Sequence, residues 1–427
     1  MQNTYKQEHH KGLYLLFFTE MWERFSYYGM RALIVLYMIE KLSYSTTQAG
    51  NIYGFYTGFV YLTPLLGGYI ADKFLGQRKC IEIGAYLMIL GLFSLTLGGN
   101  SLFLISLFLM ISANGFFKSN ISSVLGLLYE NNPNLKDSAY TIFYMGINLG
   151  AFFSPLICGT LAVKYGYNYG FLAAGVGMLI GISIYKILEH KLLGECGLKP
   201  FTPKTEIKDI KTNEKSQTTR LWALFGLMLF TIPFWICFEQ AGSSLTLFAQ
   251  YSTNRNFLGY EIPTGYFQSL NPLFIITLAP VTSVLWKKLR SHGKEPSSVE
   301  KFAIALFLIS VSFIVMTYAG YLSETTMVSP FWLIGAYFIM TIAELCLSPI
   351  GLSLVSKLAP KKFLSLIMGG WFLTSFVGNL LAGIWGGKFE DFSTTHLFGI
   401  LALLSFISCI LLVFLIPFFS RNMRSSE

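Results

Sequence analysis

Glu20, Glu23 and Arg24 stand within FFTEMWERFSYYGMR, a stretch with apolar residues on both sides that also carries Tyr27, Tyr28 and Arg31. Carboxylates and guanidinium groups at this spacing can pair, and a paired glutamate that takes up a proton releases its cation. On a helix of about 100° per residue with Glu20 at zero, Arg24 falls at about +40°, Tyr27 at about −20°, Arg31 at about +20° and Glu23 at about −60°. All five share one sector, with Tyr28 at its edge. The opposite face holds Phe18, Trp22, Phe25, Gly29 and Leu33. Three more ionisable residues interrupt apolar runs: Lys118 in ANGFFKSN, Glu239 in FWICFEQAGSS and Glu344 in TIAELCLSP. An ionised group at a bilayer centre costs about 2.5–3.5 kcal/mol, so seven isolated ones would cost on the order of 20 kcal/mol. They must be paired or hydrated. A fixed network that only joins helices is one reading, but buried pairs are weak stabilisers and intramembrane charges mark transport paths. No histidine falls inside an apolar run, the five being at 9, 10, 190, 292 and 396. Proton carriage then rests on glutamates, whose protonation would bias conformation.

The elements that must hold these groups follow from composition. Of 427 residues, 53% are hydrophobic and 12% charged, against about 25% charged in soluble domains. Twelve apolar stretches are long enough to cross a bilayer: 13–39, 49–71, 80–98, 102–128, 138–163, 167–189, 220–250, 264–287, 300–320, 329–356, 363–387 and 395–418. The expected fold is an all-α membrane protein of twelve transmembrane helices in two six-helix halves. The halves would be residues 1–189 and 220–427, the second with a short cytoplasmic tail, joined by a polar cytoplasmic linker over 190–219. That linker is too short for an extra helix pair. With both termini set inside, only Lys41, Lys164, Arg255 and Lys388 of the 31 Lys+Arg face outward, and Arg24, Arg31 and Lys118 lie in spans. The net charge of +9 is thus a topology signal and implies no nucleic-acid partner. The first apolar stretch is too long and too charged for a signal-peptide core. Six scattered cysteines and the absence of a metal-ligand or nucleophile–base cluster point away from disulfides, metal and enzymatic chemistry.

The intramembrane bases all lie in the first half, and Arg31 and Lys118 are the two least committed to a neighbouring glutamate. The second half contributes Glu239 and Glu344 and no intramembrane base. A midplane site where the halves meet would be positive on one wall and negative on the other, which suits a zwitterion. Its carboxylate would turn to Arg31 and Lys118, and its ammonium to Glu344. Asn148 and Asn271 could hydrogen-bond a peptide linkage, or serve as interhelical glue. Tyr27, Tyr28, Tyr61, Trp235 and Trp371 offer apolar bodies with polar tips, although a lone tryptophan in so aromatic a chain is more often buried or lipid-facing.

Taken together these segments resemble the proton-dependent oligopeptide transporters, a branch of the major facilitator superfamily. Their E-x-x-E-R-F-x-Y-Y motif is matched by Glu20, Glu23, Arg24, Phe25, Tyr27 and Tyr28, and F-Y-x-x-I-N-x-G by Phe143, Tyr144, Ile147, Asn148 and Gly150. VYLTPLLGGYIADKFLGQRK, FEQAGSSLTLFA, FQSLNPLFIITLAP and ELCLSPIGLS are also similar. The resemblance implies proton-coupled import of di- and tripeptides by alternating access, across the cytoplasmic (inner) membrane, by a monomer without cofactors. It assigns proton coupling to Glu20, Glu23, Arg24, Lys118 and Glu239, the last near the outer gate. Around the peptide it places Tyr27, Arg31, Tyr61, Asn148, Trp235, Asn271, Glu344 and Trp371. Gly68, Asp72, Arg78 and Lys79 look like the superfamily's cytoplasmic latch loop. Two features depart from the family: many bacterial members have two more helices between the halves, and Lys118-Ser119-Asn120 stands where K-P-N is common. A symporter of the same family for another zwitterion or anion, such as a modified peptide or nitrate, and a peptide sensor acting through the central loop are the alternatives.

Overall fold

The structure is a computed structural model that describes residues 8–200, 214–257, 259–358 and 364–423. It is helical almost throughout. Six helices precede the linker: α1 (Lys11–Glu40), α2 (Thr46–Ile70), α3 (Gln77–Leu97), α4 (Asn100–Leu128), α5 (Pro133–Tyr165) and α6 (Tyr167–Leu193). Eight follow: α7 (Glu214–Leu229), α8 (Thr231–Phe238), α9 (Ser244–Tyr251), α10 (Leu270–Ser291), α11 (Ser298–Ser323), α12 (Phe331–Leu358), α13 (Leu364–Gly386) and α14 (Thr394–Met423). Among the described residues ten helical stretches are long and apolar enough to cross a membrane, one of them, Arg220–Tyr251, uniting α7, α8 and α9. The other two expected spans are α1 and α2, of 30 and 25 residues. The first is diluted by its charges and the second by glycine, threonine and tyrosine. Twelve membrane-crossing elements result, as the apolar pattern predicts.

Residues 201–213 of the expected linker, and the last four residues of the tail, lie outside the described residues. The interval between Leu193 and Glu214 is too short for two further spans of about 20 residues each.

Local chemistry sets the helix ends. Gly76, at φ 79°, lets the chain turn sharply from the π-helical turn Ala71–Leu75 into α3. Pro133 opens α5, where its missing N–H costs no helical bond. A capping box begins α11: Ser297 accepts from the Glu300 backbone and Glu300 from that of Ser297. Pro64, Pro155, Pro280 and Pro349 sit inside helices, as membrane helices tolerate. Pro233 and Pro272 fall in the first turns of α8 and α10, where the fixed φ is harmless.

By contacts the chain forms two compact units. One comprises residues up to Leu33 together with Thr63–Pro203; the other comprises Ile34–Leu62 and the chain from Lys204 onward. In the first, glycines bring helices close. In the second, the beginning of α2 meets α13 backbone to backbone. A Cβ at Gly50 would lie 2.4 Å from the Gly387 Cα, and one at Gly383 2.3 Å from the Gly54 Cα. Without driving apolar transfer between helices in lipid, such close contact supplies the dispersion energy that holds them. Beyond α9 a two-stranded antiparallel hairpin pairs Asn256 with Glu261 and Phe257 with Tyr260.

Candidate functional site

In the first unit α1 presents its polar stripe to α4. Arg24 Nε lies 3.1 Å from Glu20 Oε1, and its Nη2 donates to Glu23 Oε1 at 2.7 Å. Nε also pairs with Glu23 Oε2, so Glu23 grips the guanidinium in two places. Nη2 reaches Asn114 Oδ1 of α4 at 3.4 Å. Glu23 is fully buried, and Glu20 and Arg24 are 3% exposed. Lys118, one helical turn beyond Asn114, acts electrostatically on both glutamates. The arrangement is therefore two carboxylates sharing one buried guanidinium with an ammonium in reach.

Tyr27 and Tyr28 continue the stripe with rings 5.1 Å apart, edge to face. The Arg24 guanidinium stands 5.3 Å from the centre of the Tyr27 ring, and that of Arg31 5.7 Å from that of Tyr28. Cation–π contacts of this kind hold a charge without neutralising it. Asn148, buried on α5, donates to the Tyr144 carbonyl one turn earlier at 2.9 Å.

The opposite face of α1 explains how the stripe is aimed. Trp22 and Phe25 pack on Gly177 and Gly181 of α6, and α5 closes in at Gly150, where a Cβ would fall 2.2 Å from the Met21 carbonyl oxygen. Gly150→Ala should push α1 off α5 at the Glu20–Arg24 level and destabilise the protein by about 1–3 kcal/mol, as overpacking does. Thermal unfolding of the detergent-solubilised protein would show it. Gly68→Ala is the control, since its Cβ would meet Ser119 Oγ at an ordinary 3.5 Å.

The expected latch loop is organised around Arg78. This side chain, 1% exposed, joins α3 to α6 through Glu189, with Nε–Oε2 at 3.1 Å and Nη2–Oε2 at 2.9 Å. Its Nη1 donates to the Gly194 carbonyl at 2.7 Å and its backbone N–H to that of Gly197 at 3.0 Å. Asp72 accepts from Gln77 at 2.8 Å, while Lys79 is exposed.

In the second unit Asn271 of α10 donates to Glu344 Oε2 at 2.9 Å and to Thr341 Oγ1 at 3.2 Å. Its amide thus joins α10 to the carboxylate of α12, the interhelical role that was one of the two expectations for this asparagine. Glu239, 2% exposed, lies in the short 3-10 turn between α8 and α9, within electrostatic reach of Glu344. Trp235 is buried with Phe234 and Phe238 at ring distances of 5.3 and 5.6 Å. Trp371 is buried too, on the bare backbone of Gly351 with Phe302 at 6.3 Å. Tyr61 is half-buried on α2.

Asn114 and Glu189 are the residues missed by sequence reasoning. Asn114 had a signal, since it stands four residues before Lys118 and shares its helix face. Glu189 had none beyond ending an apolar run.

Twelve membrane-crossing elements that carry buried, paired charges make up the body of a multi-pass membrane transporter. Comparison with known proteins narrows this. The profile of the POT family (PTR2) matches residues 78–191 and 191–401. The peptide transporter YePEPT of Yersinia enterocolitica is 36% identical over 442 residues, spanning 87% of this chain and 86% of that protein. A di-/tripeptide transporter of Lactococcus lactis subsp. cremoris is 31% identical over 486 residues, spanning 97% of each. A crystal structure of a peptide transporter POT in complex with sulfate superposes with a TM-score of 0.91 at 32% identity, covering 98% of this chain and 96% of that one. The chain belongs to the POT family, which is a family of transporters and not of enzymes.

Proposed function

We propose that this protein imports di- and tripeptides together with protons by alternating access, as a monomer in the cytoplasmic membrane with both termini in the cytoplasm. The observation that carries the proposal is the buried Glu20–Glu23–Arg24 cluster with Lys118 beside it. While Glu23 is ionised it holds the guanidinium; protonation removes one of two anions from a buried cation. Arg24 then leans on Glu20 and Asn114, and the balance around Lys118 changes with it. Such a rearrangement is a two-state element that a proton biases. Glu239, in the break of its span, is the second carboxylate assigned to proton coupling.

The substrate assignment rests on charge. A peptide zwitterion matches Glu344, steadied by Asn271, with its ammonium, and Arg31 and Lys118 with its carboxylate. Tyr27, Tyr28, Tyr61, Asn148, Trp235 and Trp371 complete the assigned surroundings. Gly68, Asp72, Arg78 and Lys79 are assigned to the cytoplasmic latch. The names of the relatives agree, being peptide and di-/tripeptide transporters. A simple anion would leave Glu344 without an amine to meet, which favours peptides over nitrate.

The test is uptake of labelled dialanine into proteoliposomes with and without an inward proton gradient. Uptake above the external concentration only when the gradient is present is the expected result. Accumulation indifferent to the gradient would reject coupling, and no uptake of any di- or tripeptide would reject the substrate class.

A further inference from the structure

Of the ten stretches apolar enough to span a membrane, the one that contains α10, Thr264–Ser291, is the least covered by protein. Of its apolar window 17% is buried, against 33% to 56% in the other nine. Toward its C-terminus Val281, Val284 and Leu285 are 60%, 64% and 46% exposed. Their spacing puts them on one helix face with Lys288 one turn further on. That face is a strip of aliphatic side chains leading to a lysine.

The end of the helix is built, not frayed. Gly293, at φ 65°, closes α10 with two bonds: its N–H to the Arg290 carbonyl at 3.0 Å, and the Lys294 N–H to that of Leu289 at 2.9 Å. This pair of bonds is the Schellman closure, and it folds Lys294 back to the level of Leu289, near Lys287 and Lys288. The following turn is pinned by Glu295. Arg290 donates to it through Nε at 2.5 Å and Nη2 at 3.1 Å, and Lys301 at 2.6 Å. These hydrogen bonds hold the Glu295 carboxyl down at about 2, so it stays ionised and committed to that pair. Lys301 in turn sits 4.6 Å from the centre of the Trp286 ring. Lys287, Lys288 and Lys294 are exposed, and among the described residues none of the three forms an ion pair. Glu295, the carboxylate of this turn, is taken by Arg290 and Lys301, and three exposed lysines follow the aliphatic strip.

We propose that this end of α10 binds an anionic glycerophospholipid, with an acyl chain along Val281, Val284 and Leu285 and the phosphate-bearing headgroup at Lys287, Lys288 and Lys294. The strip is aliphatic and exposed within a membrane-crossing stretch, a surface suited to an acyl chain. The crown is cationic where a zwitterionic headgroup would gain little. The same helix begins with the turn that carries Asn271, whose amide holds Glu344. A lipid seated at the far end steadies the helix that positions the proposed amine acceptor. Resting on the function proposed above, this adds that transport is faster in membranes containing anionic lipid.

The test uses the full chain reconstituted in phosphatidylcholine vesicles with and without phosphatidylglycerol. Retention of spin-labelled phosphatidylglycerol is compared with that of spin-labelled phosphatidylcholine. A lysine near an anionic lipid surface is worth about fivefold in association. The wild type should therefore retain phosphatidylglycerol over phosphatidylcholine by between about fivefold, one lysine's worth, and about a hundredfold if all three act fully, and K287Q/K288Q/K294Q should bring the ratio close to one. Lys136→Gln, on the first unit, should leave it unchanged, and raised salt should lower it in the wild type. Parity in the wild type, an undiminished preference in the triple variant, or an equal loss in Lys136→Gln would overturn the site. Displacement of the labelled lipid by inorganic phosphate would show a free-anion site instead and overturn the lipid assignment. Lipid retention needs no peptide, so a protein that keeps its preference yet moves no dialanine would sink the transport reading alone. Dialanine counterflow in the two vesicle types then reads the functional consequence. Equal rates beside retained lipid preference would remove the regulatory half of the proposal.

Discussion

Glu23→Gln is expected to abolish concentrative uptake of dialanine while peptide counterflow persists. Glu23 is fully buried and holds Arg24 in two places. The amide keeps an oxygen for Arg24 but can neither carry the charge nor take up the proton. Arg24 retains Glu20 at 3.1 Å, so the cation is not left alone and the fold should survive. The effect should be large. One proton moving down about 100 mV releases about 2.3 kcal/mol, and one pH unit adds about 1.4 kcal/mol. Together they sustain roughly 500-fold accumulation of a neutral substrate. An uncoupled variant accumulates nothing. The measurement is the steady-state ratio of internal to external dialanine under an imposed gradient. A Glu23→Gln ratio still in the hundreds would refute the assignment of Glu23, and equal loss of counterflow would point to collapse of the site instead.

What could be read from the chain divides along the range of the interactions. The α1 stripe was legible because helix periodicity alone sets which of its residues share a face, and the pairing of Arg24 with Glu20 and Glu23 needs only neighbours within one turn. Partners on other helices were not. Asn114 reaches Arg24 across 90 positions of sequence and Glu189 reaches Arg78 across 111; sharing a helix face with Lys118 does not name Arg24 as the partner of Asn114, and no local pattern announces Glu189. The stretch 220–250 reads as one uniform span, yet α8 gives way at Glu239 to a 3-10 turn and then α9. The cause is tertiary. Gln240, fully buried, donates to Ile236 O at 3.0 Å and to Ala382 O of α13 at 3.1 Å, and accepts from Ser244 at 2.5 Å. These bonds satisfy the backbone and side-chain groups at the break, which hydropathy cannot register. Asn271 shows the same limit. An intramembrane asparagine is ambiguous between ligand contact and helix glue, and only its distance to Glu344 shows what its amide serves.

That distance leads to the second large expected effect. Glu344→Gln should weaken binding of dialanine by about 10- to 100-fold, the loss of one charge-assisted hydrogen bond worth about 1.5–3 kcal/mol. Binding of N-acetyl-dialanine, which has no ammonium, should change little. The substitution is nearly isosteric, and a glutamine oxygen can still accept from Asn271, so the α10–α12 contact through Asn271 and Thr341 need not break. What disappears is the negative charge, and with it the preference for a free amine. The telling quantity is therefore the ratio of the two dissociation constants within each protein, since it cancels any general loosening of the site. In the wild type the blocked peptide should bind much more weakly than the free one; in the variant the ratio should approach one. Asn271→Ala gives a graded companion. It leaves the charge but removes the donor that orients it, and should cost free-amine peptides several-fold, less than loss of the carboxylate itself. If both peptides lose the same factor in Glu344→Gln, the carboxylate does not meet the amine, and its place within electrostatic reach of Glu239 must be explained by proton movement instead.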